Sequence, residues 1–247
     1  MTPPSHETSS LEDAELERIR SEYLRRSREI PKDYYWWNRP VNLYIQCQLT
    51  RAIIAALDSN ALFPLNGRRV ADIGCGSGVW LLEFAQWGAP VSGMAGIDLD
   101  EHRLGQAKQQ LGEADLHRGS AAQLPWADES FDLVTQFTLF SSILDPNLKA
   151  KAASEMLRVL KADGAILWYD LRLNNPSNSQ VRGIGLEEIR SLFPNCRVQT
   201  KRVTLAPPLA RAVVPYSWSA AALLENVPFL RTHHLHVIRK AGATSGN

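Results

Sequence analysis

Three glycines alternate with other residues in the segment VADIGCGSGVW, at positions 74, 76 and 78. The segment follows an apolar run and precedes a helix-like pattern, so it predicts a strand-to-helix turn. Without side chains, such a backbone can approach a ligand closely, and the N-terminus of the following helix faces that ligand. Asp72, beside the loop, would repel a phosphate and would suit an ammonium or another positive group. The spacing Gly-x-Gly-x-Gly also differs from the pyrophosphate-binding pattern Gly-x-Gly-x-x-Gly.

A second acidic residue follows the next apolar run. That run ends in the segment GIDLD, and its Asp98 is placed where a carboxylate can bind the two hydroxyls of a ribose. A glycine-rich loop can also serve only as a tight turn, but an aspartate at each of two strand ends favours a ligand. The two sites together predict a nucleoside-type ligand that carries a positive group.

The elements that position these residues alternate between short apolar runs and helical patterns, which is typical of a parallel sheet wrapped by helices. Seven strands without a break in composition predict one structural domain. The strands are predicted at 68–74, 93–100, 115–120, 131–137, 165–172, 197–205 and 233–240. The helices between them are predicted near 79–87, 101–111, 147–160 and 186–193.

The segment before the first strand is predicted to be a cap. Its first ten residues are expected to be loose, and a capping box of Ser9 and Glu12 predicts a charged helix that runs to about residue 28. A second helix is predicted after Pro40, with Leu43, Leu49, Ile53 and Leu57 on its apolar side. We therefore expect a flexible N-terminus and helical, aromatic cap over 1–60, and a main domain over 61–247 with a lid insertion at about 206–230.

Composition and charge exclude several function classes. The chain has 247 residues and a formal net charge of +1, with basic and acidic residues interleaved, so no nucleic-acid partner is expected. Three scattered cysteines fit neither a disulfide framework nor a cysteine-based zinc site, and no metal is expected. The polar N-terminus has no signal-peptide pattern and no stretch reaches the length of a membrane span, so a cytoplasmic protein without stable membrane insertion is predicted.

At these residues the chain resembles the class I S-adenosylmethionine-dependent methyltransferases, in particular the small-molecule branch of the methyltransferase type 11 kind. VADIGCGSG is similar to the first motif of that family and GIDLD to its ribose-binding strand end. GSAAQLPWADESFDLV is similar to its adenine-binding loop and fourth strand, and EMLRVLKADGAILWYD to the helix and fifth strand that follow. KADG stands where the family commonly has a Pro-Gly-Gly-like turn, and Ser120 stands where aspartate is frequent.

The resemblance implies a Rossmann-like, doubly wound α/β sheet of seven mostly parallel strands with an antiparallel last strand. It implies S-adenosylmethionine as the cofactor, with its methionine part at the glycine loop, its ribose at Asp98 and its adenine between Ser120 and Ala121. The expected cofactor residues are Asp72, Gly74, Gly76, Gly78, Asp98, Leu99, Ser120, Ala121 and Gln136.

Catalytic candidates come from the edge of the sheet where the parallel strands end. Asp170 follows the fifth strand, and an antiparallel last strand would bring His233 and His234 to the same edge. Either histidine could accept a hydroxyl proton near neutral pH. Because side chains alternate along a strand, only one of the two is expected to point toward the acceptor. We expect Asp170 to be the next candidate base. Ordinary packing of both histidines in the strand is about equally compatible with the sequence.

The acceptor pocket is expected in the aromatic segment YYWWNRPVNLY and in the insertion LAPPLARAVVPYSWSAAALLENVPFL, which suit a lid over an organic acceptor. The candidate acceptor-binding residues are Tyr34, Tyr35, Asn38, Arg39, Asn42 and Arg172.

The sequence therefore predicts methylation of a small molecule, most simply at the oxygen of a sugar, a glycolipid intermediate or a secondary metabolite. N- or C-methylation of a similar acceptor, a non-catalytic cofactor-binding partner subunit and, more remotely, a nicotinamide-dependent dehydrogenase remain alternatives. The sequence leaves the oligomeric state open.

Overall fold

The computed structural model describes residues 5–31, 34, 38–176 and 178–242. The seven predicted strands form one sheet in the order β3-β2-β1-β4-β5-β7-β6. Their bounds are β1 Val70–Ile73, β2 Met94–Asp98, β3 Asp115–Arg118, β4 Phe131–Phe137, β5 Leu160–Leu171, β6 Cys196–Leu205 and β7 Arg231–Lys240. The helices are α1 Ser5–Glu29, α2 Pro40–Asp58, α3 Val79–Gln86, α4 Glu101–Gln110, α5 Pro146–Val159, α6 Leu186–Leu192, α7 Pro207–Val213 and α8 Trp218–Glu225.

The sheet is parallel except at β7, which pairs antiparallel with both β5 and β6. The predicted reversal of the last strand is therefore confirmed. Apolar side chains of α2, α3 and α4, among them Ile53, Phe84 and Leu104, pack on one face of the sheet. Met156 of α5 and Ile189 of α6 pack on the other face. Because helices cover both faces, the carboxyl ends of the parallel strands are the accessible edge at which a ligand can bind.

The N-terminal helix starts earlier than predicted. α1 begins at Ser5, so the expectation of ten loose residues and of a cap at Ser9 is wrong for the described part. The Glu15 carboxylate accepts hydrogen bonds from the backbone N–H groups of Leu144 and Asp145, at 2.5 and 3.2 Å. Arg18 donates to the Ser142 carbonyl at 2.6 Å. These contacts hold α1 against the loop that follows β4.

The KADG segment stands where the family commonly has a turn, but here it belongs to a strand. Residues 161–164 lie inside β5, which begins at Leu160. Leu160 is fully buried and pairs with Phe131, and a register shift in β4 accommodates the additional pairing. Burial of the leucine thus extends the strand through a sequence that has turn-like composition.

The second helix and the insertion differ from expectation in detail. Leu43, predicted on the apolar side of α2, is 38% exposed, while its neighbour Tyr44 is buried and packs with α7 and α8. The insertion between β6 and β7 contains α7 and α8, which were not predicted as helices. Among the described residues, no helix has both the length and the apolar character needed to cross a bilayer.

Candidate cofactor site

The glycine loop joins β1 to α3 in a backbone conformation that favours glycine. Gly74, Gly76 and Gly78 have φ values of +79°, +53° and +78°, a region that residues with side chains rarely adopt. The N–H groups of Gly74 and Cys75 donate to the Ile97 carbonyl at 2.8 and 3.0 Å, which ties the loop to β2. The alternating glycines therefore shape the turn.

Asp98 links the loop to the end of β2. One carboxylate oxygen accepts the Gly76 N–H at 2.7 Å, and the other accepts the Asp100 N–H at 2.8 Å. Asp100 itself caps α4 by accepting the N–H groups of His102 and Arg103. Asp98 is thus held in place by backbone donors, and it lines the cavity described below.

Asp72 lies behind the loop. Its side chain is buried and accepts a hydrogen bond from the Thr135 hydroxyl at 2.7 Å. Burial raises the pKa of the Asp72 carboxyl to about 7, although the Thr135 hydrogen bond acts in the opposite direction. Cys75 is also buried, and burial raises the pKa of its thiol. Neither residue lines the cavity.

A cavity that is open to solvent lies at the carboxyl ends of β1, β2 and β4, with about 470 Å³ of space between its walls when the open solvent is included. Five of the predicted cofactor residues line it, and most of the remaining lining is apolar. The predicted residues are Gly74, Asp98, Leu99, Ser120 and Ala121; the others are Leu16, Ile19, Tyr23, Ile97, Gly119, Leu139, Ser142, Ile143 and Leu148.

α1 forms one wall of this cavity, which the sequence analysis missed. Leu16, Ile19 and Tyr23 share one side of an otherwise charged helix, at spacings of three and four residues. That periodicity was a detectable signal of a buried face. The Arg103 guanidinium lies 5.6 Å from the Tyr23 ring centroid and also covers Gly76, where a Cβ would be 2.0 Å from Nη2. Arg103 therefore bridges α1 and the glycine loop.

Gln136 does not line the cavity. Its side-chain nitrogen donates to the Tyr169 carbonyl at 3.2 Å, and its oxygen accepts the Leu139 N–H at 2.9 Å. The side chain is fully buried at the end of β4. Because both of its polar atoms bind backbone, the structure gives Gln136 a scaffolding position instead of the predicted contact with a ligand.

The three catalytic candidates reach the same edge but point to different faces. Asp170 pairs with His234 across β5 and β7, and Leu171 pairs with His233. Paired residues of antiparallel strands share a face and neighbours along a strand alternate. Asp170 and His234 therefore share one face while His233 lies on the other, and none of the three lines the cavity.

Hydrogen bonds and burial distinguish the three groups. The Asp170 carboxylate accepts the N–H groups of Ser141 and Leu171 at 3.0 and 2.8 Å, and burial raises its pKa to about 6. Burial lowers the pKa of His234 to about 4, and Arg172 and Arg202 add to the shift. Its Nδ1 is buried without a hydrogen-bond partner.

His233 ends a row of rings on the other face. Trp80 stacks on Phe137 at 4.2 Å, Phe137 lies 6.1 Å from Tyr169, and Tyr169 stacks on His233 at 4.7 Å and an angle of 2°. We call these four residues the aromatic row. It starts two residues after the glycine loop and crosses the accessible edge. Burial and, to a smaller extent, His234 lower the pKa of His233 to about 4.

Of the predicted acceptor residues, Tyr34 lies close to the insertion. The guanidiniums of Arg39 and of Arg211 in α7 lie 5.9 and 5.4 Å from its ring centroid. Asn42 donates to the Tyr34 carbonyl at 2.7 Å, and Asn38 is exposed. Tyr35 lies outside the described residues.

Arg172 lies beyond the end of β5. It donates to the carbonyls of Arg231 and Phe229, at 2.6 and 3.4 Å. These contacts place it at the base of the insertion.

Comparisons with known proteins match part of the chain to a methyltransferase domain. A family model described as a methyltransferase domain matches residues 70–164, which include the glycine loop, Asp98 and the Ser120–Ala121 segment. Residues 70–164 therefore form a methyltransferase domain. A demethylmenaquinone methyltransferase of Listeria welshimeri is 33% identical over 109 residues, which cover 42% of this chain and 45% of the relative. The chain thus spans a little under half the length of this relative.

Longer similarities support the same fold. A ubiquinone biosynthesis O-methyltransferase of Hahella chejuensis is 29% identical over 164 residues, which cover 64% of this chain and 65% of the relative. The crystal structure of a putative sarcosine dimethylglycine methyltransferase from Galdieria sulphuraria has a TM-score of 0.60 and 16% identity, and covers 82% of this chain and 91% of that one. The methyltransferase domain thus has a Rossmann-like sheet, as predicted.

The cofactor of this family is S-adenosylmethionine, and the cavity fits it chemically. The apolar walls suit adenine, the Asp98 carboxylate suits ribose hydroxyls, and Gly74, which lines the cavity without a side chain, suits the methionine part.

Proposed function

We propose that the protein transfers the methyl group of S-adenosylmethionine to a small organic acceptor, at an oxygen atom. The observation that carries the proposal is the single cavity in which Gly74, Asp98 and Ser120–Ala121 meet. We assign the ribose to Asp98, the adenine to the walls near Leu99 and Ala121, and the methionine part to the glycine loop.

The chain's own residues supply alignment and exclusion of water. Bound S-adenosylmethionine supplies an electrophilic methyl group on a sulfonium. Alignment of the acceptor oxygen with that methyl, in a site closed to water, accounts for most of the acceleration in such a transfer. A hydroxyl acceptor must also give up its proton, and His233 is the base that we assign, because its ring is held by Tyr169 and its pKa leaves it neutral at pH 7.

The acceptor class follows from the residues around the accessible edge. The aromatic row brings two half-buried rings, Trp80 and Phe137, to this edge. Tyr34 and Arg39 bring polar groups near Arg211 of the insertion. Such a surface suits a planar or ring-shaped molecule with hydroxyl groups. The names of the menaquinone and ubiquinone methyltransferases, the second an O-methyltransferase, support a small ring-containing acceptor. We propose that α7 and α8 form the lid and that the protein is cytoplasmic.

Calorimetry followed by an acceptor screen tests the proposal. We expect the purified chain to bind S-adenosylmethionine and its demethylated product, and to add one methyl group to a hydroxylated ring compound, detected by mass spectrometry. A folded protein that binds neither ligand would exclude the methyltransferase activity. Tight binding without any turnover in a stable heteromeric complex would indicate a non-catalytic partner subunit instead.

Replacement of Asp98 by alanine should weaken cofactor binding. The ribose hydroxyls would lose a buried acceptor, which costs about 1–3 kcal/mol and corresponds to roughly a five- to 150-fold rise in Kd. Isothermal titration calorimetry with the demethylated product measures the change. Asp100→Ala is the control, because Asp100 is occupied as the cap of α4. An unchanged Kd for Asp98→Ala, with a raised Kd for Asp100→Ala, would assign the ribose to Asp100.

A further inference from the structure

Large apolar side chains are exposed around α8. Tyr216, Leu223 and Phe229 are 89%, 72% and 73% exposed. Tyr216 lies two residues before the helix, Leu223 within it and Phe229 four residues after it. The hydrogen bond from Arg172 to the Phe229 carbonyl brings Leu173, which is 46% exposed, to the same end. We call these four residues the apolar face. Several large exposed apolar side chains on one short segment indicate an interaction site more often than isolated ones do.

The segment that carries this face is strongly basic. Residues 196–231 contain a single acidic residue, Glu225, and five basic ones, whereas the whole chain has a net charge of only +1. Glu225 accepts a hydrogen bond from the Tyr44 hydroxyl at 2.8 Å. Within the described part of the chain, no carboxylate forms a salt bridge with any of the five. The basic residues are Arg197, Lys201, Arg202, Arg211 and Arg231.

We propose that the apolar face docks on the surface of a bilayer that contains anionic lipids. Exposed aromatic and aliphatic side chains, on a segment whose cations form no salt bridge with the described carboxylates, match the acyl boundary and the anionic headgroups of such a surface. α8 has eight residues, so the contact is interfacial and does not cross the bilayer.

The charges favour a membrane over a second copy of this chain. A symmetric contact would bring two segments of the same excess positive charge together, and like charges facing each other across an interface are unfavourable. Anionic headgroups compensate that charge. The inference stands independently of methyl transfer. If both hold, an acceptor dissolved in the membrane would reach the protein at the insertion between β6 and β7.

Vesicle flotation tests the proposal. We expect the protein to float with phosphatidylcholine vesicles that contain about 30% phosphatidylglycerol, and at least tenfold less with phosphatidylcholine alone. The double variant Leu223→Ser, Phe229→Ser should reduce binding to the anionic vesicles at least tenfold. Its control is Leu11→Ser, Leu24→Ser, which removes two leucines of α1 that are 61% and 55% exposed.

The charge requirement has its own pair of variants. Lys201→Glu with Arg202→Glu should abolish the preference for phosphatidylglycerol, and Arg190→Glu, an exposed charge on α6, should preserve it. Equal binding to both kinds of vesicle, or binding to neither, would overturn the proposal. A dimer in light scattering that the Leu223, Phe229 double variant converts to a monomer would assign the face to a second copy. Circular dichroism and cofactor calorimetry on each variant separate these outcomes from misfolding and from failure of the proposed function.

Discussion

The variant Gly76→Val should lose measurable binding of S-adenosylmethionine and of its demethylated product. Gly76 has a φ of +53°, and a β-branched residue is strained there. An added Cβ would lie 2.0 Å from Nη2 and 2.5 Å from Cζ of Arg103. The flexible guanidinium can move away, but the backbone strain remains. Any relaxation of the loop would also displace the N–H that holds the Asp98 carboxylate at 2.7 Å.

We expect the Kd of the Gly76→Val variant to rise at least about 100-fold, or about 2.7 kcal/mol. Gly105→Val is the matched control, because Gly105 lies in α4 and, apart from its own stretch of helix, no described residue has a heavy atom within 4 Å of the added Cβ. Titration calorimetry on both variants, with unfolding curves to verify the fold, measures the difference. A Kd within tenfold of the unmodified protein for Gly76→Val would show that the cofactor does not approach this loop.

The sequence predicted the parts of the site that depend on strand order. The strands carrying Asp72 and Asp98 were visible as short apolar runs, and in a parallel sheet their ends must meet at one edge. That rule placed Gly74 and Asp98 at one edge, and the family resemblance added Leu99, Ser120 and Ala121; all five line the cavity. Their roles toward the cofactor follow from the family resemblance, since spacing alone does not distinguish one nucleoside-type ligand from another.

The sequence did not predict what packs over the sheet. The apolar spacing of Leu16, Ile19 and Tyr23 indicates a buried face on α1 but does not indicate which surface it covers. Nor does the sequence indicate that both polar atoms of the Gln136 side chain form hydrogen bonds with the backbone. Long-range contacts decide such features, and they also extended β5 through the turn-like KADG segment.

The alternation of side chains along β7 was predictable, whereas the environment of each histidine was not. The sequence allowed only one of His233 and His234 to point usefully, and the structure places them on opposite faces. From the sequence, a pKa near neutrality was expected for either histidine. Burial, which a sequence does not specify, lowers the pKa of both to about 4.

Replacement of His233 by alanine should lower kcat about 100-fold for a hydroxyl acceptor, while the Kd of the cofactor stays unchanged. A positioned base contributes about 10²–10⁴-fold, and a pKa well below the working pH places His233 at the lower end of that range. The ring is fixed by the stack on Tyr169 and by a 3.0 Å contact between its Nδ1 and the Thr232 hydroxyl. The described residues form no hydrogen bond with its Nε2, which leaves that nitrogen to accept the acceptor's proton.

The pH dependence gives an independent test of the same residue. Burial disfavours the imidazolium, so His233 is neutral above its pKa of about 4 and loses its function as a base only below it. The rate should therefore rise through about pH 4 and stay level from pH 6 to 8, without the limb near pH 6.5 that an exposed histidine would give. The low-pH limb should vanish in His233→Ala.

His234→Ala is the control for both measurements, because His234 lies on the opposite face between Arg172 and Arg202. We expect its kcat to stay within a few-fold of the unmodified protein. A large loss of kcat in His234→Ala alone would assign the base to His234, on the face that it shares with Asp170. Near-normal turnover of both variants with an identified acceptor would exclude a histidine base, and Asp170→Asn would then be the next test. If that variant also kept its turnover, alignment of the acceptor with the methyl group would be sufficient for the reaction.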